Sequence, residues 1–142
     1  MKRAIIVYWS GTGNTEIMAE AIKEGMEDAG LNVDLKEVYD VSIEEVLKYD
    51  KIALGCPSMG LEELEEEDFE PFMQKLEINL ANKQIALFGS YGWGEAEWMD
   101  PWEKRIVKAG ASLFEKGLVI NSTPSSDEED ECIEYGTRFA NF

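Results

Sequence analysis

The stretch Ser10-Gly11-Thr12-Gly13-Asn14-Thr15 gathers four hydroxyl or amide side chains around two glycines. Gly11 and Gly13 let backbone N–H groups turn inward as a nest, and a helix starting just beyond adds the positive end of its dipole. That chemistry suits one phosphate group. The stretch holds no Lys or Arg, so neutral dipoles would do the binding. It lacks the Gly-Lys-Ser/Thr ending of a nucleoside triphosphatase loop, and it does not fit the Gly-x-Gly-x-x-Gly dinucleotide pattern. An ordinary glycine-rich turn would explain the glycines but not the four hydrogen-bonding side chains beside them.

Two further stretches complement the first. In Ser90-Tyr91-Gly92-Trp93-Gly94-Glu95, core packing explains an aromatic pair among glycines poorly, whereas Trp93 could lie flat on a planar ligand while the backbone reaches its edge. In Cys56-Pro57-Ser58-Met59-Gly60-Leu61-Glu62, Met59 offers a polarizable contact for a ring face, and Gly60 allows a backbone conformation closed to other residues. Met59 or Trp93 alone would be an ordinary hydrophobe. With a phosphate site on the same edge, they describe a pocket for an aromatic ring joined to one phosphate.

The elements that must position these stretches can be read from short apolar runs, each followed by a turn and a helical pattern. Residues 4–9 form a continuous apolar run, as in a strand covered on both faces. Asn14 or Thr15 is the expected cap of a helix with the stripe Met18, Ile22, Met26 and Ala29, stopped by Gly30. Residues 31–38 alternate like an edge strand, and Ser42 with Glu45 forms a capping box for a helix at 42–47. Residues 51–55 and 84–89 are the third and fourth strands, with a helix at 68–76 between them. Asp100-Pro101-Trp102-Glu103 predicts a helix with Asp100 as cap and Pro101 in first position. A fifth strand lies within 111–121, interrupted near Gly117. Ser126 with Glu129 would cap a last helix carrying Ile133, Gly136, Phe139 and Ala140 on one side.

Five strands alternating with five helices imply an α/β doubly wound parallel sheet with helices on both faces. Ligands of such sheets bind at the carboxyl ends of the strands, so the loops after strands one, three and four carry the chemistry.

Composition narrows the function classes. The chain has 142 residues, the length of a single domain spanning 1–142, and 13 Lys+Arg against 30 Asp+Glu give a net charge of −17. Nucleic acid and anionic membrane are unsuited partners for such a surface, and a basic protein face is its complement. There is no histidine, which removes the commonest general base and most zinc sites. Cys56 and Cys132 are too few for a disulfide scaffold and read as reduced, buried thiols. The apolar run near the start is six residues, too short for a signal peptide's core, and no stretch reaches the ~20 apolar residues of a membrane span. A cytoplasmic protein is expected.

The run Ile6-Val7-Tyr8-Trp9-Ser10-Gly11-Thr12-Gly13-Asn14-Thr15 resembles the flavodoxin signature. Gly89-Ser90-Tyr91-Gly92-Trp93-Gly94 is similar to the flavin-stacking loop of flavodoxins from anaerobes such as clostridia. The resemblance covers essentially the whole chain. It implies a flavodoxin-like five-stranded sheet of order 2-1-3-4-5 and non-covalent FMN. It also implies a short-chain, monomeric, low-potential one-electron carrier shuttling between semiquinone and hydroquinone, rather than an enzyme. Basic faces of reductases and of ferredoxin-type oxidoreductases would be its partners.

Carried over by position, Ser10, Thr12, Asn14 and Thr15 with the Gly11 and Gly13 backbone hold the FMN phosphate. Trp93 stacks on the outer ring face, Met59 covers the inner one, and Glu62 bonds the pyrimidine end. Ser90, Tyr91 and Gly92, followed by Gly94, line the ring and ribityl side. The Gly60–Leu61 peptide matches the one that flips on reduction. Leu61 stands where close relatives have an acidic or small residue, and its bulk disfavours the flipped turn. Pro57 stands where relatives often have a small hydroxyl residue assisting the phosphate, with Ser58 one place on.

Seven carboxylates crowd residues 62–70. A helix start favoured by its dipole accounts for two or three of them. Near a flavin the rest would oppose the second electron, and ~1 kcal/mol of repulsion lowers a one-electron potential by roughly 40 mV. A second run at 127–131 reads as dipole complement to the last helix. Alternatives on the same fold are a flavin-dependent quinone or NAD(P)H reductase, which needs a nicotinamide pocket this length hardly allows, and a flavin-free interaction module. A phosphoacceptor receiver domain is rejected, because its acids are missing at Trp9-Ser10 and Gly55-Cys56.

Overall fold

In a computed structural model describing residues 2–60 and 63–142, the central sheet is parallel. Its strands are β1 (Arg3–Tyr8), β2 (Asn32–Glu37), β3 (Lys51–Gly55), β4 (Gln84–Tyr91), β5 (Ser112–Leu113) and β6 (Leu118–Asn121). The order is β2-β1-β3-β4-β5, with β6 also paired to β4. The helices are α1 (Asn14–Asp28), α2 (Ile43–Val46), α3 (Phe69–Leu76), α4 (Met99–Lys108) and α5 (Ser126–Ala140).

Alternate residues along the strands feed two cores, one on each face of the sheet. Ile5, Val7, Ile52, Leu54, Ile85 and Leu87 pack under α3 and α4 with Phe69, Phe72 and Trp102. Ala4, Ile6, Ala53, Ala86 and Phe88 pack under α1 and α5 with Met18, Ile22, Tyr135 and Phe139. This is why β1 and β3 read as unbroken apolar runs. The α1–α5 crossing is close because it has glycine on both sides. A Cβ on Gly25 would lie 1.9 Å from Ile133 O, and one on Gly136 would lie 2.1 Å from Ile22 O.

The predicted fifth strand is two short strands against one long neighbour. β5 pairs with Gln84 and Ile85, and β6 pairs with Phe88 to Tyr91. Between them Glu115 takes a φ of +47°, and Gly117 N–H donates to Glu103 Oε2 at 2.6 Å. Tyr135 Oη donates to Leu87 O at 3.2 Å, satisfying a carbonyl in the gap. β4 runs two residues beyond the expected end, so Ser90 and Tyr91 are strand residues.

Three helix starts differ from the expected ones. Gly13, at φ +96°, caps α1, which places Asn14 and Thr15 inside the first turn rather than at the cap. α4 begins at Met99 with Trp98 as cap, so Pro101 is third rather than first, still in the turn where a missing N–H is harmless. α5 is capped by Ser125 and Glu128, not by Ser126 and Glu129: Ser125 Oγ accepts the Glu128 N–H at 3.2 Å, and Glu128 Oε1 accepts the Ser125 N–H at 2.9 Å. Both serine–glutamate pairs have capping-box spacing. The inner face of α5 is Cys132, Tyr135, Gly136 and Phe139, while Ile133 and Ala140 are only partly buried.

Candidate functional site

The carboxyl ends of β1, β3, β4 and β6 meet at one edge of the sheet. A groove of about 230 Å³ there is lined by residues of all four following segments, among them Thr12, Asn14, Ser58, Met59, Gly92 and Ser122. At one end lies the 10–15 loop. Ser10 Oγ accepts the N–H of Gly13 at 3.1 Å and of Glu16 at 3.4 Å, which leaves its own proton to donate. Gly13 has no side chain with which to cap the helix, and with the Glu16 N–H taken by Ser10, the N–H groups of Asn14 and Thr15 are the first-turn donors with no helical carbonyl behind them.

Thr15 is only 1% exposed. Its Oγ1 lies 3.1 Å from Ser90 Oγ and accepts the Ser90 N–H at 3.4 Å, joining the start of α1 to the end of β4. Asn14 Oδ1 accepts from Thr123 Oγ1 at 2.9 Å. Trp9 also lines the groove, and its ring stands where a side chain on Gly11 would have to go, 2.9 Å from a Cβ built there.

At the other end, the segment after β3 stays registered on β4 through Cys56 N–H to Phe88 O at 3.1 Å and Ser58 N–H to Ser90 O at 3.0 Å. Met59 and Glu63 exchange both backbone hydrogen bonds at 2.9 Å, and Gly60 takes a φ of +48°. Met59 borders the groove and also a second cavity of about 400 Å³ shared with Glu63, Glu65, Glu66 and Glu67. The loop after β4 is anchored by Trp98, whose Nε1 donates to Cys56 O at 3.3 Å. Trp93, next to Gly92 at the rim, is 61% exposed. Leu61 and Glu62 lie outside the described residues, as does the peptide joining Gly60 to Leu61.

The acidic segment is not uniform. Glu65 is 6% exposed, and its carboxylate accepts the N–H groups of Glu67, Asp68 and Phe69 at 2.8–2.9 Å, capping α3 in place of Asp68. Glu70 forms a two-pronged pair with Arg105 at 2.6 and 2.8 Å, which holds its carboxyl below the usual range. Glu63, Glu66, Glu67 and Asp68 remain exposed, and a hydrogen bond and repulsion from Glu66 raise the Glu63 pKa. Both thiols are free and buried; burial raises Cys56 and pushes Cys132 up to about 12. Neither is a nucleophile at neutral pH. Among the described residues no helix is long and apolar enough to cross a membrane.

Of the expected site residues, Gly11, Thr12, Asn14, Ser58, Met59, Ser90, Tyr91 and Gly92 line the groove itself. Ser10, Gly13 and Thr15 support it from behind, Gly60 borders the neighbouring cavity, and Trp93 and Gly94 follow Gly92 at the rim. The segment after β6 was missed. Ser122 lines the groove at φ +59°, and Thr123 reaches Asn14. The rule that chemistry sits at strand carboxyl ends covers this segment too. Without a secure end for the last strand, it had no residues to point to.

The sequence profile of the Flavodoxin family matches residues 6–136. The chain is 47% identical over 136 residues to a flavodoxin of Clostridium beijerinckii, covering 96% of this chain and 98% of that protein. It is also 47% identical over 131 residues to a flavodoxin of Megasphaera elsdenii, covering 92% and 93%. The solution structure of two-electron reduced Megasphaera elsdenii flavodoxin superposes with a TM-score of 0.88 at 44% identity, covering 98% of this chain and 99% of that one. With the sheet order and the donor-rich loop already in place, the chain belongs to the flavodoxin family.

Proposed function

We propose that the groove holds FMN, with its phosphate on the 10–15 loop and its ring system between Met59 and Trp93, in one FMN-binding domain spanning 1–142. The protein is an electron carrier with no substrate chemistry of its own. When bound, the flavin supplies one-electron redox chemistry, and the chain supplies binding, orientation and electrostatics.

The residues present fit that group. Thr12 and Asn14 line one end of the groove, and the Ser10 hydroxyl and the start of α1 stand behind them, a set of neutral donors that suits a dianion. Met59 supplies an apolar, polarizable wall, and the exposed Trp93 indole supplies a flat face that would be covered when a ring stacks on it. The exposed carboxylates Glu63, Glu66 and Glu67 share a cavity with Met59, where they disfavour added negative charge and so lower the potential. They also favour docking of basic faces on reductases and ferredoxin-type oxidoreductases. A carrier kept in a reducing compartment such as the cytoplasm accords with the two free, buried thiols.

The observation that carries this reading is the meeting of an uncharged donor loop with a methionine and an exposed tryptophan along one sheet edge. Titration of the apoprotein with FMN tests it. One equivalent should quench the flavin fluorescence. Undiminished fluorescence at excess protein would contradict the reading, and oxidation of NADPH without any added reductase would favour a reductase.

A further inference from the structure

We infer that Thr123 is a positioning residue for the phosphate end of the ligand. By donating to Asn14 Oδ1, it leaves the Asn14 NH₂ as the group offered to the groove. This rests on the FMN reading above.

The turn that carries Thr123 is held by the protein itself. β6 is registered on the last four residues of β4, and the Ser122 N–H donates to Tyr91 O at 2.7 Å. Ser122 adopts a φ of +59°, a conformation a non-glycine residue keeps only where its surroundings impose it. The next residue places its hydroxyl 2.9 Å from Asn14 Oδ1, across 109 positions of sequence.

An asparagine amide has one acceptor oxygen and one donor NH₂. With the oxygen occupied by Thr123, the remaining group is a donor, as a phosphate requires. Freed from Thr123, the amide can rotate and turn its oxygen toward the anion. In a loop without Lys or Arg, no formal charge offsets that repulsion. Thr123 therefore contributes to phosphate affinity without touching the phosphate.

The test compares wild-type, Thr123→Ala and Thr123→Ser apoproteins, titrated by fluorescence quenching with FMN and with riboflavin, which keeps the ring and ribityl chain but lacks the phosphate. Thr123→Ala should weaken FMN binding about fivefold, the size of one lost hydrogen bond. It should leave riboflavin within about twofold, since the deleted contact acts only at the phosphate end. Thr123→Ser, which keeps the hydroxyl, should restore FMN affinity. Equal weakening of both flavins, including through loss of fold, overturns the assignment, and so does unchanged FMN affinity. Failure of the wild-type chain to bind FMN overturns the FMN reading itself and is recognised before any variant is measured.

Discussion

At the 10–15 end of the groove the walls are backbone amides and neutral side chains tied to one another, Ser10 to Gly13, Thr15 to Ser90 and Asn14 to Thr123. At the other end the wall is the Met59 thioether, with carboxylates behind it and the exposed Trp93 indole next to Gly92 at the rim. On the proposed reading, the first end would hold an anion with no basic residue in its loop. The second would set an uncharged ring beside negative charge. The difference teaches how one groove could hold a charged ligand firmly while making further charge on it unfavourable: affinity would be concentrated at the phosphate, and the redox bias at the ring.

That division can be broken in several places. The largest effect belongs to Glu65, which looks like one of the charges but is a buried cap. Glu65→Ala strips the acceptor from three backbone N–H groups. Urea denaturation should show a loss of about 3 kcal/mol. A variant of unchanged stability would make Glu65 part of the charge field after all.

Next in size is Trp93→Ala. Loss of the stacking face should weaken FMN and riboflavin alike by about 2 kcal/mol, roughly thirtyfold, measured by fluorescence titration. A loss confined to FMN would move Trp93 to the phosphate end. Thr12→Ala should do the opposite, weakening FMN about tenfold and sparing riboflavin. Equal losses for the two flavins would erase the distinction between the ends.

The smallest effect is electrostatic. Replacing Glu63, Glu66 and Glu67 together by Gln should raise the potential of the second electron by about 40 mV, equivalent to ~1 kcal/mol of relieved repulsion. The equivalent change in the exposed run at Asp127, Glu129 and Asp130, which follows Thr123 at the opposite end of the groove from Met59, should shift the potential by less than about 20 mV, because screening weakens charges farther from the ring. Equal shifts from the two runs would show that net charge matters and its location does not.

The legible parts of this molecule were those whose signals are local. The strand runs at 51–55 and 84–89, the Ser42–Glu45 capping box and the donor loop after β1 announce themselves within a few residues. The parts that were not legible depend on partners far away in sequence. Thr123 gains its role only because β6 comes back beside β4, and nothing near Asn14 hints at it. Glu65 is indistinguishable in composition from its acidic neighbours, and only its burial shows which carboxylate turns inward. The interruption of the fifth strand was legible at Gly117, but not what fills the gap, since Tyr135 reaches Leu87 from α5. The cap of α5 shows a different difficulty: two overlapping boxes satisfy the same local rule, and packing selects one.

Stepwise reductive titration of the FMN-reconstituted protein with a redox dye tests the central claim most directly, that neutral donors hold the ligand while nearby acids bias its redox chemistry. The account predicts two separated one-electron steps, the second well below that of free FMN and moving upward as added salt screens the carboxylates. A single two-electron step at the potential of free FMN, insensitive to salt, would contradict it.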